Sequence, residues 1–312
     1  MISVKKICDS RNCETGDRLT TFLLVYPRYI HAEIMTHRVM SRNAASSRAI
    51  PVNKFRLDVL ENPVIPVHWS ANQKGMQADA ELDDLDHIHT IEKLTAREYA
   101  RKLWLEARDH MVDLHRKLEV VGLHKQIANR LLEPHFHISL LVSATEWENF
   151  FSLRCHKDAH PDIQNLADSM LDTYVNSDPV GIEPGQWHLP FGDQDRPEGV
   201  DLDTIIKVCV ARAARISYKT FEGTIDIAAD LALHAKLRAS GHLSPFEHVA
   251  QAMRPEDYRL YPWSGNFKGF HQYRKQFADE NRQMDLKALW AERKALRAAK
   301  EQQKKMTPVW NS

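Results

Sequence analysis

The segment TTFLLVYPRYI, residues 20 to 30, constrains the fold most, because its β-branched and aromatic side chains predict a β-strand. Much of the remaining chain has helical spacing instead. Between residues 91 and 121 apolar side chains recur every three or four positions, and Thr95 with Glu98 predicts a capping box at the start of that helix. This combination predicts an α/β (α+β) fold, in which a mixed β-sheet is flanked by helices.

Helical spacing and end signals also predict how the chain is organised. Residues 51 to about 90 and 177 to 201 lack such spacing and are predicted to be irregular. We expect one domain over residues 1–284, with a helical insertion at about 91–132, followed by a basic helical tail at 285–312. Further helices are predicted at 31–40, 124–132, 145–156, 161–176, 203–215 with Asp203 as its cap, and 226–240 before Gly241.

The composition is that of a globular protein without a membrane segment. Its 312 residues are 43% hydrophobic and 27% charged, and the formal net charge of zero indicates no particular partner. The first residues, MISVKKICDSRN, lack the apolar stretch of a signal peptide, and no run approaches the length of a membrane span. The four cysteines form no CxxC pair, and the histidines form no HExxH motif. We therefore expect a cytoplasmic location, reduced thiols and no metal site.

Residues 36 to 51, THRVMSRNAASSRAIP, gather anion-binding side chains in one short segment. The segment contains three arginines and three serines, and guanidinium groups and hydroxyls are suited to binding phosphate. A nucleotide substrate and a dinucleotide cofactor both carry phosphate. The sequence has neither GxGxxG nor GxxxxGK[ST], so it does not support a Rossmann or P-loop cradle. The alternative is a polar surface loop whose arginines pair with carboxylates.

The spacing of these residues resembles the RHRxxSxNxxSxR signature of the flavin-dependent thymidylate synthases. Thr36 stands at the first arginine of that signature. Residues 143–167 resemble a helix pair of the family with its Asn-Phe-x-x-Leu-Arg core, and Arg130 with Pro134 resembles its Ala-Arg-x-x-Leu-Pro element. The matching signature residues are His37, Arg38, Ser41, Asn43, Ser46 and Arg48.

The order of the matching blocks differs from that of the family. RAARISY at 212–218 and GHLSPFEHV at 241–249 resemble the family's opening segment, yet they follow the signature by some 200 residues. The chain therefore resembles a circularly permuted member, as in viral-type homologues, a rearrangement that close, exposed termini permit. The segment NFKGFHQYRKQF at 266–277 is either a degenerate second copy of the signature element or an ordinary aromatic and basic turn.

The resemblance implies a reaction and a set of ligands. The family converts dUMP to dTMP with a methylene group from 5,10-methylenetetrahydrofolate and a hydride from reduced FAD, with NADPH as reductant, in a homotetramer whose active sites lie between subunits. Arg154 would contact the pyrimidine ring and stabilise its charge, and Ser46 would bind phosphate rather than act as a nucleophile. The residues implied for the nucleotide are Glu33, Ser46, Ser47, Arg48, Arg130 and Arg154. Those implied for FAD or folate are His37, Arg38, Asn43, Asn149, His242, Ser244 and His248, the last with a packing role as the alternative.

Several residues depart from the family pattern. Glu33 replaces a glutamine near the nucleotide and Ala44 replaces a glutamate, while Ser143, Thr145 and Asp158 replace an asparagine, an arginine and a histidine. These departures leave open dCMP as the substrate, hydroxymethyl transfer, or a catalytically inactive nucleotide-binding homologue. Nucleic-acid binding by the basic tail is not expected, because its helical stretch from 285 to 305 has no interleaved aromatic residue beyond Trp290.

Overall fold

A computed structural model describes residues 2–78, 80–82, 88–89, 94–192, 199–216, 226–281 and 284–306 of the chain. The chain divides into two compact units, Met1–Gln276 and Phe277–Ser312. The described part of the second unit contains the helix Leu286–Met306, whose described side chains are mostly exposed to solvent. The predicted limits of 1–284 for the domain and 285–312 for the tail stay a prediction.

A five-stranded sheet forms the centre of the first unit, with the strand order β3-β6-β2-β1-β7. Neighbouring strands are antiparallel except β1 and β7, which are parallel, so the sheet is mixed. The strands of the unit are β1 (Ser3–Asn12), β2 (Arg18–Pro27), β3 (Ser41–Ala44), β4 (Ile88–His89), β5 (Leu94–Thr95), β6 (His137–Ala144), β7 (Val180–Ile182), β8 (Trp187–His188), β9 (Ala250–Ala252), β10 (Trp263–Ser264), β11 (Phe267–Lys268) and β12 (Phe270–Gln272).

Helices accompany the sheet, and the predicted α/β class is confirmed. Short 3-10 helices lie between the longer elements of the described residues, at Arg28–Ile30, Asn129–His135, Ser244–Glu247 and Tyr273–Gln276. The α-helices of the first unit are α1 (His31–Ile34), α2 (Val52–Glu61), α3 (Ala96–Val120), α4 (Lys125–Ala128), α5 (Glu148–Arg154), α6 (Pro161–Val175), α7 (Leu202–Arg215), α8 (Ile227–Ser240) and α9 (Pro255–Leu260), and the helix of the second unit is α10 (Leu286–Met306).

The main core forms where helices pack on β2 and β6. Phe22 and Trp147 are almost fully buried and meet edge to face, with their ring centroids 5.3 Å apart. Aromatic pairs of this geometry contribute about 0.5–1.5 kcal/mol beyond the area that they bury. Helix α6 adds an apolar stripe at helical spacing, which consists of Ile163, Leu166, Ala167 and Met170. Burial of this stripe explains why the segment is helical.

Several predicted elements are confirmed. The capping box of α3 is present, because the Thr95 side chain accepts from the backbone N–H of Glu98 and the Glu98 carboxylate accepts in return. The predicted helices at 161–176 and 226–240 are α6 and α8. Gly241 ends α8 with φ of 74°, a left-handed conformation that glycine adopts without strain.

Other predictions are wrong in part. The strand predicted at 20–30 stops at Pro27, and the helix predicted over 31–40 ends at Ile34. The stretch from 51 to 90, predicted to be irregular, begins with α2, which buries Phe55 and Val59 on one face.

The stretch predicted to be irregular from 177 to 201 contains the short strands β7 and β8. The predicted cap Asp203 lies inside α7, and Asp201 caps that helix by accepting from the backbone N–H of Thr204. The acidic segment 79–86 and residues 217–218 lie largely outside the described residues. Among the described residues, no helix is long and apolar enough to cross a membrane, and no three metal-ligating side chains are grouped together.

Candidate active site

A cavity of about 200 Å³ lies at the end of the signature strand β3. Its wall combines the turn after β3 with two 3-10 helices, Arg28–Ile30 and Asn129–His135, and with the first part of β6. Segments that are far apart in sequence therefore meet in one place. The lining residues are Arg28, His31, Ala44, Ala45, Ser46, Ser47, Arg130, Glu133, Phe136 and Ile138. Three residues that the resemblance implied for the nucleotide, Ser46, Ser47 and Arg130, are among them.

Backbone hydrogen bonds fix the turn that carries the two serines. The Ala45 N–H donates to the carbonyl of Ser139 at 2.8 Å, and the Ala49 N–H donates to the carbonyl of Ser46 at 3.0 Å. The Asn129 amide is fully buried and donates to the carbonyls of Ser47 and Ile50 at 2.8 and 3.0 Å. A satisfied buried amide of this kind holds the turn in a single conformation.

Three charged side chains determine the electrostatics of the cavity. Glu133 Oε1 accepts from Ser47 Oγ at 2.5 Å and from Arg130 NH1 at 2.7 Å. No hydrogen bond or ion pair engages the Arg28 guanidinium within the described part of the chain. Burial, together with Arg28 and Arg42, lowers the pKa of His31 to about 4, so His31 is neutral at physiological pH. Two cations and one carboxylate leave the cavity with a net positive charge.

A second cluster forms around Arg154 at the end of α5. Its Nε–H donates to Nε2 of His37 at 2.9 Å, and NH1 donates to the Glu33 carboxylate at 3.2 Å. NH2 donates to the Glu33 carbonyl at 3.4 Å and to the Thr36 hydroxyl at 3.2 Å. The structure therefore brings Arg154, His37 and Glu33 together as a group. The side chains of Arg154 and Glu33 remain 19% and 37% exposed, so a ligand can reach them.

The neutral form of His37 helps to hold the Arg154 guanidinium in place. His37 is buried against Phe150, edge to face at 5.0 Å between ring centroids. Burial lowers the pKa of His37, and the charges of Arg154 and Arg42 lower it further. Because Nε2 accepts from Arg154, the proton of the neutral ring lies on Nδ1. Thr36, where the signature has arginine, contributes a hydroxyl instead of a second cation.

Segments from the two ends of the sequence meet at β3. Asn43 Nδ2 donates to the Ala213 carbonyl at 2.6 Å, and Ser244 Oγ lies 3.5 Å from Asn43 Oδ1. Gln272 Nε2 donates to Ser41 Oγ at 2.8 Å. The segments that resemble the family's opening block and its possible second copy therefore contact the signature strand directly, although they follow it by some 200 residues.

The other predicted residues lie outside these contacts. Arg48 is exposed and does not line the cavity. Arg38, Asn149 and His242 are exposed as well, the last with Nδ1 at 2.9 Å from Ser240 Oγ. His248 is fully buried, and its Nδ1 lies 2.9 Å from Ser143 Oγ. Two sets of side chains could hold a polar cofactor: the exposed donors Arg38 and Asn149, and the buried Asn43 with its exposed neighbour Ser244.

Sequence reasoning missed four residues of the cavity and its support: Arg28, His31, Asn129 and Glu133. Arg28 lies in the segment 20–30, which the sequence predicts to be a strand, and His31 begins the segment 31–40, which it predicts to be a helix. Asn129 and Glu133 stand where the Ala-Arg-x-x-Leu-Pro element has alanine and leucine. Polar side chains at these two positions, in place of apolar ones, are a sequence signal that points to both residues.

Comparisons with known proteins identify the family. No curated protein matches the chain at a significant level. Among solved structures, the UMP/dUMP methylase PolB from Streptomyces cacaoi, bound with 5-Br UMP, is similar over 56% of this chain and 89% of its own. Its sequence identity is 16% and its TM-score is 0.41, so this similarity carries no argument about function. The thymidylate synthase complementing protein family matches residues 19–180, which is more than half of the chain. The chain therefore belongs to the thymidylate synthase complementing protein family.

Proposed function

We propose that the protein methylates C5 of dUMP in the manner of a flavin-dependent thymidylate synthase. The one-carbon unit comes from 5,10-methylenetetrahydrofolate, NADPH is the reductant, and the product is dTMP. The observation that carries the proposal is the convergence of Ser46, Arg130 and Arg28 on one cavity beside the signature strand. Family membership supplies the reaction class, and the cavity supplies an anion site of suitable chemistry.

The cavity is proposed to bind the phosphate of the nucleotide. Its volume of about 200 Å³ is below the roughly 300–1,000 Å³ of pockets that enclose a whole small ligand. The sugar and base therefore extend beyond the cavity. A second copy of the chain would cover them in the proposed homo-oligomer. The exposed apolar side chains of Met35 and Val39, 42% and 44% exposed, flank Thr36 and Arg38 and suit such a contact.

Arg154 is proposed to stabilise the pyrimidine ring while C5 becomes nucleophilic. A guanidinium has five N–H groups, and the described contacts to Glu33, Thr36 and His37 engage four of them. One N–H remains for a ring oxygen. A fixed, partly desolvated cation is worth several kcal/mol to a charge that develops in the transition state. The surrounding contacts orient Arg154 before the nucleotide binds.

FAD is proposed as the cofactor, and it supplies hydride chemistry when bound. Arg38 and Asn149 present exposed donors, which fit the pyrophosphate and amide groups of such a ligand. Asn43 and Ser244 add a second pair of polar groups from opposite ends of the sequence. His37 is proposed to support this region through Arg154, because its Nε2 accepts from that arginine. His242 and His248 are proposed nearby, with packing as the alternative for the buried His248.

A second candidate substrate is dCMP. The carboxylate of Glu33 lies beside Arg154 at 3.2 Å, where the resembling family has a glutamine. A carboxylate accepts a hydrogen bond from the amino group of cytosine, a group that uracil lacks. The product would be the 5-methyl or 5-hydroxymethyl derivative.

Tritium release tests the proposal, because substitution at C5 expels the hydrogen of that carbon. The protein is incubated with C5-tritiated dUMP or dCMP, methylenetetrahydrofolate, FAD and NADPH. Release from dUMP that depends on folate supports the proposal, and release from dCMP alone supports the second candidate. No release from either nucleotide, together with measurable nucleotide binding, indicates a catalytically inactive homologue.

A further inference from the structure

Glu133 places a carboxylate inside the cavity that is proposed to bind phosphate. It accepts hydrogen bonds from Ser47 and Arg130, and both donors also line the cavity. Its side chain is only 18% exposed, so the charge is poorly screened by water. An anion site therefore contains an anion of its own.

The contacts of Glu133 occupy the donors that a phosphate needs. The Ser47 hydroxyl has a single proton, and that proton is directed at Glu133. Arg130 is half exposed and donates one N–H to the same oxygen of Glu133. Only Arg28 keeps a guanidinium without an ion pair among the described lining residues. With Arg28 and Arg130 positive and Glu133 negative, the net charge of the cavity balances one negative charge on a ligand rather than two.

We propose that Glu133 is an intramolecular competitor of the phosphate dianion and sets how tightly the cavity binds it. The inference rests on the proposed function, because it assigns the nucleotide phosphate to this cavity. A phosphate monoester carries close to two negative charges at neutral pH. It must displace Glu133 from Ser47 and Arg130 or tolerate a like charge in contact, which is costly at low dielectric.

This arrangement predicts a gain of affinity when the charge is removed. Glu133→Gln keeps the shape and an acceptor oxygen for Ser47 and Arg130 but removes the negative charge. We expect the affinity of this variant for dUMP to be higher than that of wild type by about tenfold or more. Glu133→Asp, which keeps the charge, gives no such gain. A merely structural role for Glu133 predicts the opposite, since losing a charged hydrogen bond loosens the site.

Isothermal calorimetry with dUMP and with inorganic phosphate tests the proposal. The matched control is Glu119→Gln, which removes a carboxylate paired with Arg56 away from the cavity. Glu133→Leu is the second uncharged variant, and thermal unfolding shows whether each variant is folded. Tighter binding to Glu133→Gln or Glu133→Leu, and not to Glu119→Gln, supports the proposal. Equal or weaker binding to both uncharged variants overturns it.

The two probes separate this proposal from the proposed function. If inorganic phosphate binds more tightly to the uncharged variants while dUMP binds to none of the proteins, the competitor role stands and the dUMP function fails. If dUMP binds to wild type and variants with the same affinity, the nucleotide function stands and the competitor role fails. If neither probe binds to any of the proteins, both are wrong.

Discussion

Replacing Asn129 by alanine tests whether the turn that carries Ser46 must be held in place for nucleotide binding. The Asn129 amide donates to two carbonyls and its oxygen lies 3.1 Å from His115 Nε2. Each lost hydrogen bond costs about 0.5–1.5 kcal/mol, and a buried partner left unsatisfied costs about 1–3 kcal/mol. Because three contacts are lost, we expect a destabilisation of about 2–4 kcal/mol.

Asn12 provides a matched control for this loss of stability. It is fully buried like Asn129, and its amide donates to the carbonyls of Met253 and Gly269 at 3.0 Å each. Its oxygen accepts from the backbone N–H of Glu14 at 3.0 Å. Asn12→Ala therefore removes a similar set of contacts without touching the cavity. Urea unfolding should show comparable losses for the two variants.

Nucleotide affinity distinguishes the two variants. Displacement of a positioning segment by about 1 Å costs up to about a hundredfold in function, so we expect Asn129→Ala to weaken dUMP binding by about ten- to a hundredfold. Asn12→Ala should bind dUMP as wild type does. Calorimetric titration, at a temperature where both variants are folded, measures the effect. Equal dUMP affinity in the two variants would refute the positioning argument.

Two further predictions concern Arg154 and the buried histidines. Arg154→Lys keeps the charge but loses the guanidinium fork, so kcat for dUMP should fall by about a hundredfold with a smaller change in KM, and steady-state kinetics that show only a KM effect would contradict the assigned role. Burial lowers the pKa of both His188 and His248 to about 3 from the ordinary 6.5, so the unfolded chain binds protons more readily than the folded one between these values. The contribution of these two histidines to the free energy of unfolding is therefore fully present above about pH 6.5. As the pH falls it decreases, by about 2 kcal/mol for each histidine at about pH 5. Urea unfolding near neutral pH and at about pH 5 measures this loss, and His248→Gln should show a smaller loss than wild type.

Local patterns in the sequence predicted the regular elements wherever a single segment determines its own structure. The capping box of α3 and the left-handed Gly241 depend on a few neighbouring residues, and both are confirmed. Helix α2 was missed because Pro51 and Asn53 are typical of loops. Pro51 in fact precedes the first turn, where a missing N–H costs nothing, and Phe55 and Val59 supply the buried face.

The sequence predicted only those residues of the candidate site that belong to a motif. The resemblance named Ser46 and Arg130, and both line the cavity, but it also named Arg48, which is exposed and lines no part of it. Glu133 meets Ser47 across 86 positions of sequence, so no local pattern shows the contact. Such pairs follow from the packing of the Asn129–His135 helix against the turn after β3, which sequence spacing alone does not specify.

Mass spectrometry of the reaction product tests the central claim most directly. The protein is incubated with an equal mixture of dUMP and dCMP, methylenetetrahydrofolate, FAD and NADPH, and parallel reactions omit folate or flavin. The account predicts that dUMP gains a methyl group, that the gain requires both folate and flavin, and that Arg154→Ala abolishes it. If wild type leaves both nucleotides unmodified, or if Arg154→Ala methylates dUMP as fast as wild type, the account is contradicted.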